Sequence, residues 1–197
     1  MALFTGGKLV TEAVWEEGKE RKQQVFDVLR DLFAKQGDSP REIDLFAVGR
    51  GPGNFSGLRT AITAAHGLAI PHGKSVVAVS SGEAMARAIR ADHADPVIVL
   101  GDARRDTVWY SIFDRETDAP AVWHLTAPQD SPKRWPEKAV LVSSDWGRLE
   151  KILPAGPSWQ RVTGHPLASQ VGALAQHRKT HGVLLDPVEP IYMHPPV

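Results

Sequence analysis

An α/β protein built as two related lobes is the fold class this sequence predicts, and three observations predict it. A hairpin pattern followed by alternating helices and strands opens the chain, and a run of strands followed by the same alternation returns in its second half. The longest apolar runs, such as Val76-Val77-Ala78-Val79 and Val97-Ile98-Val99-Leu100, have the length of buried strands, where a membrane helix needs ~20 residues. Hydrophobic residues make up 42% and charged residues 23% of the 197, a balance that supports one globular core or two small ones. The expected division places residues 1–95 in an N-terminal lobe with the hairpin, two interface helices and a glycine loop, and residues 96–197 in a C-terminal lobe.

In chain order, Ala2 to Phe4 and Leu9 to Trp15 flank Thr5-Gly6-Gly7-Lys8, where two glycines supply the positive φ of a tight turn. From Lys19 to Gln36, the residues Val25, Val28, Leu29, Leu32 and Phe33 fall on one helical stripe that Gly37 ends. Ile43 to Val48 reads as a strand, Gly49 to Gly57 as a glycine loop, and Leu58 to Ala69 as a small-faced helix with Ser56 as its expected N-cap. Ser75 to Val79 is the next strand. Ser80 and Glu83 have the spacing of a capping box ahead of a helix carrying Met85 and Ile89. After a hinge at His93 to Pro96 come strands at Val97 to Leu100, Thr107 to Phe113 and Val122 to Thr126. A loop from Pro128 to Pro136, a strand at Ala139 to Ser143, a helix from Asp145 to Leu153 and a last helix from Pro166 to His181 complete the reading.

Composition excludes several classes of function. Lys plus Arg equals Asp plus Glu at 23 each, so the overall field does not attract a nucleic acid, and any RNA would be held mostly by a partner's charge. The absence of cysteine removes disulfides, thiolate nucleophiles and Cys-ligated zinc, and makes an intracellular, cytoplasmic setting the expectation. Met1-Ala2-Leu3-Phe4 reaches Thr5-Gly6-Gly7 too early to read as a secretory signal.

Four features could carry chemistry. Gly49-Arg50-Gly51-Pro52-Gly53-Asn54-Phe55-Ser56-Gly57 lies between a strand and a helix, where backbone N–H groups favour an anion, yet it has neither a dinucleotide fingerprint nor a Walker loop. Its glycines serve equally for a tight turn and close packing. Asp102 stands at a strand end and could hold magnesium near a phosphate, or fix the turn through Arg104-Arg105-Asp106. His177 and His181 are four apart on a helix, a metal spacing that also suits a solvated helix end. Ser80 and Ser81 lack a nucleophile elbow and read as capping residues. The small-faced helix holds Ala61, Ala64, Ala65, Gly67 and Ala69, so one face packs on the protein's own sheet and the other is open to a partner's helices.

The glycine loop, continued by Leu58-Arg59 and His66-Gly67-Leu68-Ala69, resembles the signature of the TsaB (YeaZ) family, the bacterial accessory subunits of tRNA threonylcarbamoyladenosine formation. Asp102-Ala103-Arg104 before a Val-Trp-Tyr strand, and Glu189-Pro190-Ile191-Tyr192, follow in the family's order. The resemblance implies the two-lobed fold of actin, Hsp70 and the sugar kinases (the ASKHA fold). It also implies a noncatalytic scaffold that pairs with a TsaD-like transferase through a helix bundle, with a TsaE-like ATPase joining and tRNA contacted indirectly. The bundle falls on Val25, Leu29, Phe55, Leu58, Arg59, Ile62 and Ala65, and the same face would support a homodimer when the chain is alone. Family members begin with a further strand carrying a phosphate motif, which this sequence lacks, so no intrinsic cofactor is expected. Asp102 is then the one candidate cofactor contact, and ATP with magnesium is expected only at the level of the complex. The region from Glu20 to Gln24 also lacks the family's Glu-His-x-x. The alternative is an enzyme, either an ATP-dependent kinase-like protein or a glycoprotease-type peptidase.

Overall fold

The computed structural model describes residues 1–15, 25–37, 39–114, 120–156 and 158–193. The expected helix start at Lys19 and the Glu20 to Gln24 region lie outside them. The chain is mixed α/β, and it divides into two compact units. One comprises Met1–Arg50, Asn54–Val79 and Leu167–Pro190, the other Gly51–Gly53, Ser80–Pro166 and Ile191–Val197. These units do not follow the division expected at 95/96. The helix after Ser80 buries Met85 and Ala86 with Val97 and Val99 of the second unit, and the C-terminal helix packs on the first.

In the first unit, strands β1 (Ala2–Thr5) and β2 (Lys8–Glu12) form an antiparallel hairpin whose turn residues Gly6 and Gly7 have φ of 55° and 81°, as two-residue turns require. The second strand stops at Glu12 rather than Trp15. The Glu12 carboxylate accepts hydrogen bonds from the backbone N–H and hydroxyl of Ser169, at 2.8 and 3.0 Å. Helix α1 (Val25–Gln36) ends at Gly37, whose φ of 72° is left-handed. The strand expected from Ile43 begins later, as β3 (Phe46–Gly49), because Ser39-Pro40 opens a short 3-10 turn and the Ser39 N–H donates to the Glu42 carboxylate at 2.8 Å.

Helix α2 (Phe55–Ala69) starts earlier than expected and is capped by Asn54, not Ser56: the Asn54 side-chain oxygen accepts the Gly57 N–H at 3.1 Å. Asparagine serves at an N-cap as well as serine does. Strand β4 (Val76–Val79) runs parallel to β3, with Phe46 opposite Val76 and Gly49 opposite Val79. Helix α5 (Ala168–Thr180) packs against strands of both pairs, and the Phe4 ring fills the space beside Gly172. The two pairs are nevertheless separate two-stranded sheets.

The second unit holds α3 (Ser81–Arg90), β5 (Val97–Arg104), β6 (Thr107–Phe113), β7 (His124–Thr126), β8 (Lys138–Ser143), α4 (Trp146–Ile152) and β9 (Ser158–Thr163). Its five strands form one sheet in the order β7-β6-β5-β8-β9. The pairs β5/β6 and β6/β7 are antiparallel, whereas β5/β8 and β8/β9 are parallel. The central strand is buried on both faces. Ile98 and Leu100 enter one core with Tyr110, Leu141 and Leu149, and Val97 and Val99 enter another with Met85, Val140 and Val142. Strand β9 was not expected. Its apolar residues Trp159 and Val162 are three apart, so they give no period-two signal.

Candidate helix interface and glycine loop

Helix α2 has two unlike faces. Ile62 is 8% exposed and packs with Val48 and Ala78, with Ala65 and Val188 against them. This corrects the expectation that Ile62 lies on the open face: the one large apolar residue in mid-helix is claimed by the protein's own sheet. Burying such a side chain stabilises the fold by about 1.5–3 kcal/mol. Leu58 and Ala65 are half-buried, while Ser56, Arg59, Thr60, Thr63 and Gly67 are exposed. Ser56, Thr60, Thr63 and Gly67 are spaced by four, three and four residues, which puts them on one stripe. Nothing lies within 4 Å of a Cβ built on Gly67.

At the start of the helix Phe55 is 48% exposed, and the Arg59 guanidinium sits 5.2 Å from its ring centroid, a cation–π distance. On α1, Leu32 is buried, Val25 and Leu29 are half-buried, and Phe26 is 56% exposed. Phe26 was missed in the sequence because it stands beside the apolar stripe rather than on it. Thr60 and Thr63 were missed because helical periodicity marks large apolar residues and passes over small polar ones.

The glycine loop spends several of its donors internally. The Arg50 N–H donates to the Val79 carbonyl at 2.9 Å, and the Gly51 N–H donates to the Ser81 hydroxyl at 3.1 Å. The Gly51 carbonyl in turn accepts from the Ser80 hydroxyl at 3.2 Å and from the Ser81 N–H at 3.0 Å. Ser80 also caps α3 by accepting the Glu83 N–H at 3.2 Å. Both serines are thus engaged as capping and loop-bracing groups. Pro52 has no N–H, and the Gly57 N–H is taken by Asn54. The N–H groups of Arg50, Gly51 and Gly57 are thus engaged within the chain.

Beyond the loop, an ion network gathers at its first arginine. The Arg50 Nε donates to the Glu189 carbonyl at 2.8 Å, and its Nη1 lies 3.5 Å from the Asp186 carboxylate. Asp186 also accepts from Nη1 of Arg178 at 2.7 Å, a guanidinium with no solvent exposure. One carboxylate therefore joins α5, the segment following it and the end of β3. Asp186 makes an isolated antiparallel bridge to Ala78 of β4 as well.

Asp102 lies at the end of β5, where the register with β6 shifts between Asp102 and Arg104. Its carboxylate accepts the Arg104 N–H at 2.8 Å and lies 3.2 and 3.4 Å from the guanidiniums of Arg104 and Arg148. Arg104, Arg105 and Asp106 have φ of 66°, 51° and 54°, three consecutive left-handed residues that are not glycine. The side chain thus does what an Asp before a turn does, satisfying a backbone donor two residues on. Two guanidiniums already answer its charge, an arrangement that does not suit a magnesium ligand. His177 and His181 have ring centroids 4.3 Å apart, and His181 Nδ1 lies 2.9 Å from the His177 carbonyl. Among the described residues no group of three or more His, Cys, Asp or Glu is arranged to hold a metal ion, and no helix is long and apolar enough to cross a membrane.

Comparison with known proteins bears on this arrangement. A family model described as TsaD, tRNA N6-adenosine threonylcarbamoyltransferase, matches residues 17–120, just over half of the chain. The tRNA threonylcarbamoyladenosine biosynthesis protein TsaB of Escherichia coli (strain K12) is 28% identical over 173 residues, covering 81% of this chain and 71% of that protein. The protein of the same name from Haemophilus influenzae is 34% identical over 95 residues, covering 48% of this chain and 40% of that one. A solved structure of YeaZ from Pseudomonas aeruginosa superposes with a TM-score of 0.79 at 26% identity, covering 98% of this chain and 92% of the other. The chain belongs to the TsaB (YeaZ) family, within the group of proteins that the TsaD model describes.

Proposed function

We propose that this protein is a noncatalytic, cytoplasmic scaffold subunit in the formation of threonylcarbamoyladenosine on tRNA, and that it supports a TsaD-like transferase through helices α1 and α2. The names of its relatives supply the pathway. The observation that carries the scaffold role is the open stripe Ser56, Thr60, Thr63 and Gly67 beside Phe55 and Arg59. Small side chains let a second helix approach closely, and the exposed Phe55 offers it an apolar anchor. The same stripe supports a homodimer when the partner is absent, and a TsaE-like ATPase joins the assembled complex. Contact with tRNA is indirect, in keeping with equal numbers of basic and acidic residues.

No intrinsic cofactor belongs to this reading; ATP and magnesium act at the level of the complex. The internally used donors of the glycine loop and the doubly paired Asp102 support it. The two compact units are then the two lobes of an ASKHA fold, with no counterpart of its first N-terminal strand among the described residues.

The test is Gly67→Trp, which fills the stripe at a position with open space around it and so leaves the fold unstrained. Association with a co-expressed TsaD-like subunit, followed by gel filtration, should fall at least tenfold while circular dichroism and melting temperature hold. Modified adenosine in tRNA from complemented cells should fall with it. Undiminished association would refute the stripe as the interface.

A further inference from the structure

Beyond α5 the chain lies back on the first unit as a short strap. Gly182, with φ of 65°, ends the helix, and the Val183 N–H donates to the Arg178 carbonyl at 2.9 Å. Leu184 and Leu185 are exposed, after which Asp186 is largely covered. Asp186 bridges Ala78 on the edge of β4 that β3 leaves open, since Ala78 faces Val48 of β3 on its other side. Two residues on, the half-buried Val188 packs against the cluster that Ile62 of α2 forms with Val48 and Ala78. One guanidinium holds the strap at two points. The Arg50 Nε donates to the Glu189 carbonyl at 2.8 Å and its Nη1 lies 3.5 Å from the Asp186 carboxylate, so the two contacts bracket Val188. A planar fork serves two acceptors in fixed geometry, which the single ammonium of a lysine does not. Arg178, fully buried, holds the same carboxylate from α5 at 2.7 Å.

This strap bears on the one helix whose outer face is open. Ile62 and Ala69 are the buried residues of α2, so the cluster around Ile62 is its large apolar foothold in mid-helix. Ser56, Thr60, Thr63 and Gly67 stand roughly 100–160° round the helix axis from Ile62, at about 100° per residue. A helix seated on one large side chain rolls when the packing around that side chain changes. Any roll turns the stripe by the same angle.

We propose that Arg50 and Val188 are positioning residues for the open stripe of α2. The Arg50 clamp seats Val188 against the Ile62 cluster, and that seat fixes the roll of α2 and hence the direction in which the stripe meets a partner helix. Close approach of two helices tolerates little roll, because the ridges of one must enter the grooves of the other. This inference rests on the interface reading above and adds what holds that interface in register. By reciprocity, a partner that selects the seated orientation stabilises the strap by the same free energy without touching it.

Two measurements test it. In the first, association with a co-expressed TsaD-like subunit is compared for Arg50→Lys, Val188→Ala, Val188→Ile and Gly67→Trp. Arg50→Lys and Val188→Ala should each weaken association at least fivefold with circular dichroism unchanged, and Val188→Ile should restore what Val188→Ala loses. In the second, amide hydrogen exchange of residues 183–190 is followed in the unaltered chain, alone and in the complex, and should slow at least fivefold on binding. This readout needs no variant, so it decides the matter even where a substitution impairs folding. Full association of Arg50→Lys and Val188→Ala, with Gly67→Trp weakened, overturns the clamp and leaves the interface standing. Strap exchange that the partner does not change overturns the clamp as well. Full association of all four variants refutes the stripe itself, and the clamp falls with it.

Discussion

The second unit holds its sheet together by hydrogen bonds from edge to edge, whereas the first holds two half-sheets together from outside. In the second, five strands share continuous ladders and bury a central strand between two cores. In the first, the pairs β1/β2 and β3/β4 are joined by α5, by the Glu12 contact to Ser169, and by the carboxylate of Asp186. Side-chain ties of this kind are few and specific, while apolar packing in the second unit is spread over many residues. The difference teaches where each unit is vulnerable: the second to lost volume, the first to the loss of one charge.

The largest expected effect is in the complete sheet. Leu141 is 2% exposed and pairs with Ile98 across β5 and β8, so Leu141→Ala should cost about 3–4 kcal/mol in urea unfolding, from lost transfer energy and the cavity left behind. A cost under about 1 kcal/mol would mean that the second unit is no better packed than the first, and the comparison would break.

Next in size is Asp186→Asn, which removes the charge shared by Arg50 and the fully buried Arg178. The expected cost is about 2–3 kcal/mol, below that of a fully buried pair because Asp186 and Arg50 retain some solvent. Hydrogen exchange should accelerate in β3, β4 and α5 and stay unchanged in β5, β6 and β8. Uniform acceleration would show that the units unfold as one.

The smallest effect is one of pH. Burial holds the Met1 ammonium below its ordinary pKa of 8.0, and Glu12 opposes this in part. The unfolded chain then binds that proton more readily than the folded one, so stability rises as pH climbs towards 8.0 and levels off above it. Nα-acetylation, which removes the charge, should flatten this slope when melting temperature is followed between pH 6 and 9. A slope unaltered by acetylation would place its origin elsewhere and leave the open edge of β1 without an electrostatic cost.

Much of the architecture was legible because particular residues permit few alternatives. Gly6-Gly7 and Gly37 have the positive φ that their positions as turn and helix stop demanded, and Ser80 caps the helix its spacing to Glu83 announced. The element order from β3 to β8 was read from apolar runs, which burial on both faces makes continuous. What escaped lacked such contrast. In α2 the alanines, glycines, serines and threonines weigh almost equally on any hydrophobic scale, so the sequence did not reveal which side the sheet would take. The sheet took Ile62, and the open stripe turned out to be the polar small one. Asn54 and Ser56 are equally good caps two residues apart, and backbone geometry chose between them. Strand β9 is recruited by pairing with β8 rather than by its own pattern. Around Asp102 the sequence permitted both a magnesium ligand and a turn-fixing carboxylate; its carboxylate accepts the Arg104 N–H and pairs with Arg104 and Arg148, partners that no local pattern announced.

The placement of the aromatic residues decides what an optical experiment on this protein can see. Of its six tryptophans, Trp109, Trp123, Trp135, Trp146 and Trp159 all lie in the second unit, and Trp15 alone lies in the first. Several of the five are in edge-on ring contact, Trp109 with Trp123 at 5.5 Å and Trp135 with Trp159 at 5.1 Å. Intrinsic fluorescence therefore reports chiefly on the five-stranded sheet. Changes in the half-sheets and the helix that spans them are reported by Trp15 alone, against five emitters in the other unit. Gly67→Trp would add a second fluorophore there, on the open face of α2.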